Sequence, residues 1–219
     1  MSIKAVVFDL DGTLIDSERI FSEYFAASAA ELGWELEIDT ITECIGTSAA
    51  ETEAIIRNAM GIEFPFVEVR AATEKKFFNL VKINGVPFKK GALRLLDILD
   101  GKNIPYALAT STKRHMVEKK FDSSSILKRF SAVLCGDEVD NLKPDPEIYI
   151  KVSEKMKLEP SETLVFEDSI YGLLAAIDAG ARTVWVPDIQ EIADNIRNRC
   201  FKEIGSLDAV CDQIGDFLE

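Results

Sequence analysis

The chain has 219 residues, 47% of them hydrophobic, and its 25 basic and 38 acidic side chains leave a net charge of −13. That length buries one full core without demanding two independent domains, and the negative field disfavours nucleic acid or an anionic membrane as a partner. Four scattered cysteines and a single histidine make neither a disulfide framework nor a zinc site. With no apolar run of membrane-spanning length and a start too short for a signal peptide, the expectation is a soluble, cytoplasmic monomer.

Along the chain, five short apolar runs rich in β-branched and aromatic residues are predicted strands: 3–8, 104–109, 132–135, 163–166 and 183–186. Their continuous apolarity suits a sheet covered on both faces. After the first run, Ser17 is placed to cap a helix bearing Ile20, Phe21, Tyr24 and Phe25, and further helical patterns follow around Ile41, around Ile55 and Ile56, and from Val67 to Val81. These are too many helices for one crossover, so residues 16–84 are expected to form an inserted helical cap. Residues 1–15 and 85–219 then make a discontinuous α/β core with a Rossmann-like, three-layer parallel sheet. Within it, Ala92 to Leu99 and Ile170 to Ile177 repeat at helical spacing, each closed by a glycine. Beyond residue 188 there is no motif, and the helical pattern from Leu207 to Leu218 reads as structural.

The first strand runs into Asp9, Leu10, Asp11 and Gly12. On extended chain, positions i and i+2 share a face, so both carboxylates can address one volume, and the glycine permits a sharp exit. Solvated acids in a strand-end turn are the bland alternative. Other strand ends weigh against it: the second finishes at Thr110, Ser111 and Thr112, the fourth at Glu167, Asp168 and Ser169, and Lys143 stands in Lys-Pro-Asp-Pro before a helical pattern. Ligands of open parallel sheets bind at such carboxyl edges. Four carboxylates beside one lysine cannot all stay ionised without a cation, and a hard divalent ion held by oxygens, Mg2+ being the economical choice, also draws phosphate.

Through "FDLDGTLIDS", "ALATST", "KPDPEIY" and "FEDSIYGLLAAIDAG", in that order, the chain resembles the haloacid dehalogenase-like hydrolase superfamily, in its β-phosphoglucomutase-like and sugar-phosphate phosphatase subgroup. The resemblance implies a Rossmann-like core with a helical cap inserted after the first motif. It also implies roles: Asp9 as the nucleophile that takes the phosphoryl group, Asp11 as general acid and base, and Thr110, the Ser111 amide and Lys143 as phosphate ligands. Asp9, the carbonyl of Asp11 and Asp168 would hold Mg2+, with Glu167 a ligand through water or an orienting group.

The expected activity is hydrolysis of a small phosphorylated metabolite, a sugar phosphate by preference. A phosphomutase and a non-catalytic phosphate-binding protein are the alternatives. Members with mutase chemistry carry a histidine and an arginine where this chain has Phe21 and Ala49, which disfavours the mutase. Lys113, Arg114, His115, Lys75 and Lys76 are weaker candidates for contacting the substrate's far end, each with solvent as its ordinary destination. Phe77 and Phe78 are expected in the cap's own core rather than as a stacking surface.

Overall fold

The apolar runs pair side by side as a parallel sheet in the computed structural model, which describes residues 2–45, 47, 49–121 and 124–218. In chain order the described residues form β1 (Ala5–Phe8), α1 (Ser17–Glu31), α2 (Ile38–Thr42), α3 (Ala49–Met60), α4 (Phe66–Asn84), α5 (Ala92–Gly101), β2 (Tyr106–Ala109) and α6 (Arg114–Lys120). They continue with β3 (Ala132–Leu134), α7 (Glu147–Lys155), β4 (Thr163–Glu167), α8 (Ile170–Asp178), β5 (Arg182–Trp185), α9 (Asp194–Arg197), β6 (Lys202–Glu203), α10 (Leu207–Cys211) and α11 (Ile214–Leu218). The sheet order is β3-β2-β1-β4-β5-β6. β6 escapes sequence reading because it is two exposed, charged residues with no apolar pattern. The Leu207 to Leu218 pattern is two short helices, so Val210 and Phe217 both reach one core.

Alternation along the strands makes three layers. Val6, Phe8, Leu108, Leu164 and Phe166 enter one buried cluster with Leu95, Leu96 and Val117 of α5 and α6 and with Leu207 and Phe217 of α10 and α11. Val7, Ala107, Ala109 and Val165 enter another with Ile148 and Val152 of α7 and Ala175 and Ala176 of α8. Small residues on this second face bring α7 and α8 close to the sheet.

Helices α1 to α4 bury their own cluster of Phe25, Ala29, Ile56, Phe64, Phe66 and Val69. The chain leaves the sheet and returns to it at one place, where the Asp16 amide donates to Pro87 O at 2.7 Å and the Lys89 amide to Leu14 O at 3.0 Å. The register then sets the site. Phe8 lies opposite Leu108 and Phe166, so Asp9, Thr110 and Glu167 with Asp168 stand next to one another at the carboxyl edge, beneath the helical insert.

Candidate active site

At the centre lies a buried chain of charges. The Lys143 ammonium donates to Asp9 Oδ1 at 2.6 Å, to Glu167 Oε1 at 2.7 Å and to the Ala109 carbonyl at 3.2 Å. The Tyr149 hydroxyl donates to the same Glu167 oxygen at 3.0 Å, while the Ser169 amide and hydroxyl donate to Glu167 Oε2 at 2.9 and 3.1 Å. Asp168 accepts from Thr13 Oγ1 at 2.8 Å. Lys143 therefore fixes one side of Asp9, and both oxygens of Glu167 accept hydrogen bonds.

Asp9, Glu167 and Asp168 each offer a carboxylate oxygen within 4.8 Å of the others, and all three are buried. Burial, with neighbouring carboxylates adding to it and Lys143 opposing it, pushes the Asp9 carboxyl well above the usual range; burial, Glu167 and Asp9 do the same to Asp168. Such a site is short of positive charge. Two glycines let the carboxylates sit where they do. A Cβ on Gly12, whose φ is +92°, would lie 2.2 Å from Asp168 Oδ2, and one on Gly172 would lie 1.6 Å from Glu167 Oε1. An all-oxygen donor set of this kind fits a hard divalent cation.

Asp11 is arranged otherwise. Its Oδ1 accepts from Lys120 and from the Ser17 hydroxyl, and its Oδ2 from the Thr112 hydroxyl at 2.6 Å. The four sequence-predicted carboxylates are thus not one cluster, because Lys120 draws the Asp11 side chain to the other wall. Burial acts to raise this carboxyl, but Lys120 and its hydrogen bonds prevail and hold it below the ordinary value. Lys120 itself is 8% exposed. In the sequence it looks like half of a solvated lysine pair.

A cavity of about 710 Å3 joins the sheet edge to the insert and is lined by Asp9, Asp11, Thr110, Ser111 and Lys143 at its floor. Thr110 Oγ1 accepts the Thr112 amide at 3.0 Å, leaving its hydroxyl proton to donate elsewhere. Of the weaker candidates, Lys113 and His115 line this cavity and Arg114, Lys75 and Lys76 do not. Arg114 is bound to the Val133 carbonyl at 2.8 Å and to Glu138, Lys76 pairs with Glu31 at 2.8 Å, and Lys75 faces solvent. Arg70 of α4 lines the cavity instead. Phe77 is buried as expected, whereas Phe78 is half-buried and, with Phe21, forms part of the wall. The side chain of Ala49 lies outside the described residues, as do Gly46 and Ser48 before it.

Glu18, on the first turn of α1, carries no sequence signal beyond that of an ordinary first-turn acid. Burial, then Asp11 and Asp188, push its carboxyl up to about 7 against the pull of Lys120. Unfolded, it titrates at the ordinary 4.5. Between these values the folded state holds the extra proton, so stability falls as pH rises from 4.5 to about 7 and the loss is complete above. Glu18→Gln is expected to unfold like the wild type at pH 4 and to be more stable by roughly 1–3 kcal/mol at pH 8, measured by urea denaturation at both values. An equal difference at the two pH values would contradict this.

The chain is similar to known proteins in sequence and in fold. A family profile described as haloacid dehalogenase-like hydrolase matches residues 6–186. A phosphorylated carbohydrates phosphatase of Thermotoga maritima is 33% identical over 187 residues, covering 84% of each chain. The (DL)-glycerol-3-phosphatase 2 of Arabidopsis thaliana is 30% identical over 207 residues, covering 89% of this chain and 86% of that one. In fold, the crystal structure of CbbY from Rhodobacter sphaeroides in complex with phosphate superposes with a TM-score of 0.75 at 24% identity, over 95% of this chain and 96% of that one. With a matching profile that runs from β1 to the end of β5 and spans every strand-end carboxylate described above, the chain belongs to the haloacid dehalogenase-like hydrolases.

Proposed function

We propose that this protein is a Mg2+-dependent phosphatase of a small phosphorylated sugar, with Asp9 as the group that takes the phosphoryl and residues 16–84 acting as a cap over the site. The observation that carries the reading is the buried trio Asp9, Glu167 and Asp168, with Lys143 as its ammonium partner, at the floor of a cavity that also holds Asp11. Asp9, Asp168 and the Asp11 carbonyl would hold the ion, with Glu167 keeping Lys143 and Ser169 in place. When bound, Mg2+ offsets the carboxylate charge and draws phosphate oxygens toward Asp9.

An Asp9 oxygen attacks phosphorus, the bond to the sugar oxygen breaks, and Asp11, which must be protonated at this step against the pull of Lys120, gives that proton to the departing oxygen. Lys143 and the free Thr110 hydroxyl proton stabilise the charge spread over the phosphoryl oxygens. Water then attacks the phosphorus of the Asp9 ester, Asp11 takes the water proton, and inorganic phosphate leaves. The reading is tested by phosphate release from a panel of sugar phosphates with Mg2+ and after exhaustive EDTA treatment. Release is expected only with the metal, and an undiminished rate in EDTA would sink it.

Lys120 favours the ionised form of Asp11, which is the form the second step requires. Lys120→Met is therefore expected to slow breakdown of the Asp9 ester more than its formation, by roughly tenfold or more. The check is quenched-flow trapping of phosphorylated protein. It should accumulate in Lys120→Met and less so in Lys120→Arg; equal phosphoenzyme levels in all three proteins would refute the role.

A further inference from the structure

We infer that the substrate carries a second anionic group, a carboxylate or a phosphate, remote from the reacting phosphoryl, and that Arg70 of α4 receives it; this rests on the phosphatase reading above. The cavity, at about 710 Å3, is of the size that takes a whole small ligand, so its walls meet more than one phosphate. Among the described residues of the insert that line it, Arg70 is the one cation. At the sheet edge the ammonium groups already have partners: Lys143 binds Asp9 and Glu167, and Lys120 binds Asp11. Arg70 differs. Its Nε donates to Glu74 Oε1 at 3.1 Å, one turn along the same helix, and neither terminal nitrogen has a partner among the described residues.

The helix carries this guanidinium away from the core. Phe78 of α4 rests on α6, with the Lys119 ammonium 3.8 Å over its ring, and Arg70 stands eight residues earlier, about 12 Å back along the axis. A single bond at Nε leaves the far edge of the guanidinium open, and the two parallel N–H donors there match two oxygens of one carboxylate or phosphate. The Arg70 side chain is 36% exposed, so a ligand can reach it. Two acids share the wall of the insert. Glu74 is the partner that orients the guanidinium, and Glu18 lies beside Asp11 at the reacting end. On a chain of net charge −13, an anionic tail is repelled on average and needs a local cation of this kind. Lys113 of the core also lines the cavity, has no acid partner among the described residues, and adds to the attraction.

The test uses two pairs of compounds that share a phosphate and differ at the far end: glucose 6-phosphate against 6-phosphogluconate for a carboxylate, and fructose 6-phosphate against fructose 1,6-bisphosphate for a phosphate. With Mg2+, kcat/KM is expected to be roughly tenfold or more higher for the anionic member of at least one pair, chiefly through KM. By calorimetry, Asp9→Asn should bind that member more tightly by a similar factor. Arg70→Met should bring the ratio within the pair toward one, and Arg70→Lys, which keeps the charge but loses the paired donors, should leave an intermediate ratio. If the members of both pairs release phosphate equally and bind equally, or if Arg70→Met keeps the full ratio, the inference falls while the phosphatase reading stands. If Asp9→Asn binds an anionic member more tightly and loses that advantage when Arg70→Met is added, but the wild type releases phosphate from none of the four, the inference stands and the phosphatase reading falls.

Discussion

Asp9→Asn is expected to abolish phosphate release while leaving a protein that folds and withstands heat at least as well as the wild type. An amide of the same shape cannot form the phosphoryl ester, and loss of a nucleophile in covalent catalysis costs on the order of 10^3-fold or more. Stability should move the other way. Asp9 is buried against Glu167 and Asp168, and its carboxyl is pushed well above the usual range. Removing one charge eases that crowding, and Lys143 keeps its partner Glu167 at 2.7 Å. Without metal, the variant should melt at or above the wild-type temperature, and Mg2+ should raise its melting temperature less than that of the wild type. Wild-type turnover in this variant would remove Asp9 from the chemistry.

Lys143→Met should damage both activity and stability. Its ammonium side chain is 3% exposed and touches Asp9 and Glu167, whose side chains are 9% and 0% exposed. Methionine fills much of the volume but leaves two buried carboxylates, Asp9 and Glu167, without their ammonium. Breaking a buried pair from one side costs about 3–5 kcal/mol, and the loss should show as a fall in the urea midpoint without metal. Mg2+ should recover part of it, since the ion supplies charge to the same oxygens. Phosphate release should fall by roughly 10^2–10^3-fold even at saturating metal, because the ion does not replace the donor to the phosphoryl oxygens. An unchanged urea midpoint would show that the carboxylates do not depend on Lys143.

What the sequence showed plainly was whatever the backbone places by itself. Asp9, Thr110, Glu167 and Asp168 end strands whose unbroken apolarity marks them, and parallel registers set strand ends side by side. Lys120, Glu18 and Asp188 were not legible. Lys120 and Asp188 matter through partners distant in the chain, Lys120 through Asp11, 109 positions away, and Asp188 through Lys89, 99 positions away at 2.6 Å, and Glu18 matters through its burial in the folded protein. A lysine in a Lys-Lys pair carries the same local pattern whether it meets water or a buried carboxylate. Phe78 failed for a related reason. Helical spacing gives the face a residue occupies, but whether that face meets protein or a cavity depends on how α4 stands over the sheet. Arg114 belongs to the same class, since Glu138 and the Val133 carbonyl take up its guanidinium before any ligand can.

The position of β1 between β2 and β4 has a consequence for how the chain is made. β1 is synthesised ahead of the whole helical insert, yet its neighbours begin at residues 106 and 163. At ribosomal rates of about 5–20 residues per second, both edges of this apolar strand stay without their partners for on the order of ten seconds. Closing so long a gap is entropically costly and slow, so β1 joins the sheet late. The insert, whose contacts are nearer in sequence, can order first. Nascent chains arrested before residue 163 are therefore expected to expose Val6, Val7 and Phe8 to a chaperone and to resist labelling there once β4 has emerged. Protection of these residues in the shorter chains would show that β1 finds its place without β4.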